Sequence, residues 1–355
     1  MDNIRLQHTP HTEHAAESCM RRIDQSARHL GSQSSPLFTV LDIIKRLQQD
    51  KDVDGQFWLI NDRVDGQQSG TPVSAWPLWF SERARRDERP LFYLTQSPTS
   101  AHLSMLTSQT AQRGIILNDI ESAPSRWAKG AHPWLPLWLA SNQQCMPYDP
   151  ACGEEARIII GAALRELYLK GKPGFCYMTL HDEPGQELDC DKRQAYLGMY
   201  RVSPMVARQA QVRLLGAGLM LREVQAAAEL LKRDWDVDSE VWSCPSYTRL
   251  ARNAASVQRW NRSHRNQQPR RSYLRNCLGE SKLPVVAVTG YAEFVAAQVA
   301  EHVEAPFTAL GVDTLLPGQR PDRHWIAYLA LRSLVQQALL RSDDLDKALK
   351  LYGLG

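Results

Sequence analysis

The sequence predicts an α/β protein of two doubly wound, mostly parallel-sheet domains, and three observations predict it. "VRLLGAGLMLREVQAAAELLKRDWDVDSEVWSC" (212–244) reads as strand, glycine turn, amphipathic helix and second strand. Further on, the apolar strands in "PVVAVTG" (284–290) and "FTALGV" (307–312) are each followed by a helical pattern, "AEFVAAQVAEHV" and "HWIAYLALRSLVQQALL". Strands alternating with helices call for right-handed crossovers and a parallel sheet covered on both faces. Finally, 355 residues exceed one domain of about 100–200 residues, and apolar runs recur before this region as well.

In chain order, residues 1–36 are polar, end in "GSQSSP", and are expected to be an arm with little structure. Residues 37–205 carry a helix in "LFTVLDIIKRLQQD", strand candidates "FWLI", "RPLFYL" and "RGIIL", then "GEEARIIIGAALRELYLKGKPGFCYMTL", a helix running into a strand at Phe175–Leu180. This is a first α/β domain. A polar connection containing "RQAYLGMYRVSP" leads to the second domain at 206–355, where Leu221–Lys232 is the best amphipathic helix. The glycine turn Gly216–Gly218 lacks the third glycine of a dinucleotide fingerprint. Leu221 stands there, so the turn reads as scaffold.

Composition excludes several classes. With 43% hydrophobic and 23% charged residues and no apolar run near 18, a membrane span is not expected. The opening "MDNIRLQHTPHTEH" has no apolar secretory core, and the seven scattered cysteines form no C-x-x-C pair, so a cytoplasmic, reduced protein is expected. A net charge of +3 does not imply a nucleic-acid partner. His8, His11 and His14 are three apart, but Pro10 argues against a helix presenting them to a metal, and no metal site is expected. The stretch 259–275, with Trp260 and Tyr273 among arginines, has the composition of a nucleic-acid patch, yet that function is not assigned to it. Asp149, in "YDP" ahead of a helix, is a candidate N-cap.

"LLGAGLMLREVQAAAELLKRDWDVDSEVWSCPSYTRLAR", "QRWNRSHR", "PRRSYLRNCLG", "PVVAVTGYAEFVAAQV", "ALGVD" and "DRHWIAYLAL", in that order, resemble the C-terminal domain of the homodimeric type of pyruvate dehydrogenase decarboxylase component, a thiamine-diphosphate enzyme of the transketolase superfamily. "LASNQQCMPYDPACGEEARIIIGAALRELYLKGKPGFCYMTLHDE" is similar to the end of that family's pyrimidine-binding middle domain. The resemblance implies a degenerate pyrimidine-binding-like domain over 37–205 and a transketolase C-terminal-like, dimer-building domain over 206–355. The family's Gly-Asp-Gly motif, which holds the diphosphate and magnesium, is absent. The resemblance therefore implies a β-like subunit that binds thiamine diphosphate and magnesium only with an α-like partner, pairs with a second copy of itself, and passes a two-carbon unit from a 2-oxo acid to an acceptor such as a lipoyl acyltransferase. A family glutamate bonds the aminopyrimidine ring; Glu82 and Glu88 are the glutamates in the corresponding segment, and Glu82 also fits a solvated charge. Tyr93 is the candidate to pack on the ring. His132 is the histidine left where the family has an active-site loop, either a proton shuttle or a structural residue. The other reading is a non-catalytic relative that kept the dimer-building domain.

Overall fold

Two strands with apolar centres, Leu91–Thr95 (β2) and Arg113–Asn118 (β3), are buried at every position, as strands covered on both faces must be. They lie in an all-parallel sheet with Trp58–Asn61 (β1), Cys145–Tyr148 (β4) and Gly174–Thr179 (β5), in the order β1-β2-β3-β5-β4. β4 is an edge strand and contains Pro147, which lacks an N–H to offer a neighbour. The computed structural model describes residues 8–26, 34–62, 88–108, 113–185, 188, 193–202, 210–316 and 321–354. The chain divides into two units, 1–188 and 189–355.

Residues 10–26 depart from the expected arm. They form a helix, Pro10–Ser26 (α1), that buries Ala15, Ala16, Cys19 and Ile23 in the first unit. Pro10 is its first residue, where a missing N–H costs nothing, and Thr9 and Thr12 exchange side-chain bonds around the turn. The polar composition of this stretch and Pro10 within the histidine spacing argue for an arm; Pro10 instead starts the helix. The next helix, Pro36–Gln49 (α2), is capped by Ser35, whose Oγ accepts from Phe38 N at 3.0 Å, and it buries Leu37, Val40, Ile43, Ile44 and Leu47. It packs beside Gly153–Leu164 (α5), which continues through a π turn at Arg165–Leu169. A Cβ at Gly153 would stand 2.0 Å from Thr39 Oγ1, so only glycine lets these two helix starts meet. Shorter helices Ser100–Ser108 (α3) and Trp134–Ser141 (α4) complete the unit.

The second unit contains a sheet ordered β10-β9-β7-β8-β6, formed by Tyr200–Arg201 (β6), Val212–Gly216 (β7), Ser239–Ser243 (β8), Val285–Val288 (β9) and Phe307–Leu310 (β10). Four strands are parallel; β6 is antiparallel to β8. That pairing draws residues 200–201 into the second unit, whereas the sequence placed its start near 206. Gln194–Leu197 (α6) precedes β6; then come Met220–Trp235 (α7), Tyr247–Ser263 (α8), Tyr273–Leu278 (α9), Phe294–Ala297 (α10), Arg323–Gln336 (α11) and Ser342–Tyr352 (α12). The expected continuous helix after β9 is instead α10 and a 3-10 turn at Ala300–His302. Asp313 Oδ1 accepts from Glu293 N at 2.6 Å just before α10. At the glycine turn, a Cβ on Gly216 would lie 2.8 Å from Leu221 Cα, so glycine allows β7 and α7 to close on each other. Leu221 is buried under the turn. Two architectures of parallel sheet and flanking helices result, as the sequence predicts.

Candidate functional site

In open parallel sheets ligands bind beyond the carboxyl ends of the strands, and in the first unit that edge is built of polar side chains. β2, β3 and β5 end level with one another, Thr95 opposite Asn118 and Asn118 opposite Thr179. Asn118 fixes the loop after β2: its amide donates to Ser97 O at 2.8 Å and to Tyr177 Oη at 2.9 Å, and its Oδ1 accepts from Ser97 N at 2.9 Å. All this is buried, so the amide's polar atoms are matched inside the protein.

The loop after β3 turns back over that edge around a buried cation. Lys129 donates to Glu121 and, at 2.9 Å, to Asp149, with 4% of its side chain exposed. Its backbone is left-handed (φ 57°), as is that of Gly130 (φ 70°), where a Cβ would sit 1.9 Å from Ile120 O. Burial raises the Glu121 carboxyl to about 7, a shift that Lys129 opposes and Asp149 adds to. For Lys129 burial acts to lower the pKa, but Asp149 and Glu121 outweigh it and hold the ammonium charged. Asp149 therefore partners a lysine; the residue at the N-cap of α5 is Cys152.

Over this base lies a pocket of about 320 Å³ lined by Gln96, Ile120, Ser125, Arg126, Trp127 and Gly130 among others. The Arg126 guanidinium is 5.0 Å from the Trp127 ring centre, and His132 meets the same ring edge-on at 4.9 Å. His132 Nδ1 accepts from Trp134 N at 3.2 Å, and His132 N donates to Pro98 O at 2.8 Å. Next to it α4 presents Trp134, 69% exposed, and Leu137, 48% exposed. Beyond β1, His102 Nε2 is 3.3 Å from Asp62 Oδ2, and burial raises the Asp62 carboxyl against the influence of Thr95 and His102.

Among the described residues, those named from the sequence do not gather here. His132 flanks the pocket, while Glu82 lies outside the described residues. Glu88 is at the amino end of β2, the far end of the sheet, 3.1 Å from Arg113 Nε. Burial raises its pKa and Arg113 opposes the rise. Tyr93 is 1% exposed inside β2, its ring facing Gly114 near the amino end of β3. Among the described residues no three His, Cys, Asp or Glu side chains group as a metal site, and no helix is long and apolar enough to cross a membrane. His8, instead of facing His11 and His14, places Nε2 2.6 Å from Tyr168 O. Sequence reasoning missed the Glu121–Lys129–Asp149 cluster and Asn118. The signal available was "ILND", polar residues directly ending an apolar strand.

The fold of the two units is similar to that of the paired α/β domains of transketolases. The family model of the transketolase-like TK C-terminal domain matches residues 198–314. Transketolase from Pichia stipitis superposes over 91% of this chain and 46% of its own, with a TM-score of 0.55 at 10% identity; that from Leishmania mexicana covers 90% and 46%, with 0.54 at 13%. In sequence, the chain resembles the "Pyruvate dehydrogenase E1 component" of Cupriavidus necator, 33% identical over 237 residues, 61% of this chain and 26% of that protein. The Escherichia coli K12 protein of the same name is 34% identical over 179 residues, 48% and 19%. The match thus spans about a fifth to a quarter of the length of such relatives. It confirms the expected resemblance to the C-terminal half of these transketolase-superfamily enzymes.

Proposed function

We propose that this chain is the β-like subunit of a two-chain thiamine-diphosphate enzyme acting on a 2-oxo acid, working in the cytoplasm, with an α-like partner that supplies the diphosphate and magnesium site. The observation that carries this reading is the pocket at the carboxyl edge of the first sheet, lined by Arg126 and Trp127, in a unit whose helix α4 also leaves Trp134 and Leu137 exposed. Exposed large apolar side chains mark a surface that another chain covers. The described residues do not by themselves fit the coenzyme's aminopyrimidine ring. Such a ring needs a carboxylate within about 2.6–3.2 Å and an aromatic face. Glu88 is held by Arg113 at the other end of the sheet, Glu121 and Asp149 are held by Lys129, and Tyr93 is enclosed. The chain's own contribution is then a shaped wall: Asn118 and Lys129 hold the two loops, and Trp127 with Arg126 and His132 forms the surface that meets the partner's ligand.

The Glu88–Arg113 pair favours a second reading, a non-catalytic relative that assembles through the same surfaces. One experiment separates them. The chain is co-expressed with an encoded neighbour that carries Gly-Asp-Gly, and the copurified complex is titrated with thiamine diphosphate and magnesium and assayed for pyruvate-dependent ferricyanide reduction. Coenzyme binding and turnover by the complex, with neither in the isolated chain, supports the β-like subunit. A stable complex that binds no coenzyme leaves the non-catalytic reading. Failure to form any complex refutes both. A lipoyl acyltransferase as acceptor, and a second copy of the chain in the assembly, belong to the first reading.

A further inference from the structure

Between Glu240 and Glu280 the chain has eight arginines, no lysine and no acidic residue. The fold turns this stretch into a fixed surface at the end of α8 and in the loop before α9. Asn261 Oδ1 accepts from Arg270 N at 2.9 Å and its Nδ2 donates to Arg270 O at 3.0 Å, which ties the loop 262–269 into a closed arch. The Arg270 guanidinium lies 3.7 Å from the Trp260 ring centre, and His264 stacks on Trp260 at 4.4 Å with the rings 8° from parallel. Arg259, Arg262 and Arg265 are exposed and have no acidic partner among the described residues. Cations near a helix C-terminus are favoured by its dipole, but only at about 0.3–1 kcal/mol each and only in the last turn, which does not account for a cluster extending through the loop.

We infer that this arch is a docking face for an acidic segment of a partner protein, an inference independent of the function proposed above. Guanidinium groups bind carboxylates bidentately, and a rigid platform loses little freedom on binding. Two features favour carboxylates on a short segment over a nucleic acid. His264 and Arg270 occupy Trp260, which leaves no platform on which a base could stack. Carboxylates also flank the patch: Glu280 bonds Arg271 at 3.1 Å, Glu304 bonds Arg275 at 3.0 Å, and His302, hydrogen-bonded to Gln258, carries Glu301 at 3.3 Å. A long phosphate backbone would run into those charges; a segment with a few carboxylates would end before them.

The test uses the full chain, a fluorescein-labelled octaglutamate peptide and a 20-base-pair RNA duplex as probes, with fluorescence anisotropy at 50 mM salt. The expected result is saturable peptide binding that R259Q/R262Q/R265Q weakens at least tenfold without changing the melting temperature. K45Q/K51Q/K350Q, which removes the same charge from other exposed positions, is expected to leave the affinity unchanged. No saturable binding, equal affinity of the arch variant, equal loss in the control variant, or tighter binding of the duplex than of the peptide each overturns the inference. Should the triple variant unfold, R262Q alone decides on the same terms, with a loss of at least twofold expected.

Discussion

Replacing Lys129 by Met removes one charge and leaves two buried carboxylates, Glu121 and Asp149, without their shared cation. Glu121 and Asp149 have side chains 9% and 10% exposed, so water cannot replace the ammonium. Removing one partner of a buried ion pair leaves the other charge uncompensated, so the expected loss of stability at pH 7 is about 3–5 kcal/mol. The loss shrinks as pH falls through the raised range of Glu121, because a protonated Glu121 no longer needs the ammonium. Urea unfolding followed by tryptophan fluorescence at pH 7 and pH 5 measures both. A loss below 1 kcal/mol at pH 7, or one that does not change with pH, would refute the assignment of Lys129 as the counter-ion of this cluster.

Since the folded pKa of Glu121 lies above its unfolded value, the folded state binds more protons between about pH 4.5 and 7, and its contribution to stability falls as pH rises through that window; E121Q should flatten the wild-type stability profile there in urea titrations. I23A, on the buried face of α1, should cost about 2–4 kcal/mol in chemical denaturation, whereas a loosely attached arm would lose nothing. E88Q leaves Arg113 without its carboxylate and should lower the melting temperature, while coenzyme affinity of a partner complex stays unchanged; a selective loss of coenzyme affinity at constant melting temperature would return Glu88 to the site.

The strands were legible because β2, β3 and β9 each carry consecutive apolar residues, and a run buried on both faces needs no knowledge of its neighbours to be recognised. The helix α7 was legible for a similar local reason, with Val224, Ala227 and Leu231 on one side. α1 was not, because its buried positions are mostly small or polar, Thr12, Ala15, Ala16, Ser18 and Cys19 beside Ile23, which gives a weak pattern against their charged neighbours. The site was less legible than the fold. Glu88 and Tyr93 were named for their place along the chain, yet Glu88 lies at the amino end of β2 and Tyr93 in its middle, enclosed, neither at the carboxyl end. Lys129 could not be singled out because its importance comes from Glu121 and Asp149, 8 and 20 residues away, which only the folded loop brings to it.

The edges of the two sheets restrict how this chain can associate. Pro147 sits in the edge strand β4, and the two-residue antiparallel β6 closes one edge of the second sheet. A backbone without an N–H and a strand too short to template another are both poor starting points for adding a strand from outside. At these two edges, growth by main-chain pairing is discouraged, and with it the open-ended stacking that such pairing permits. Association there has to rely on shape and side-chain chemistry, which favours assemblies of defined size.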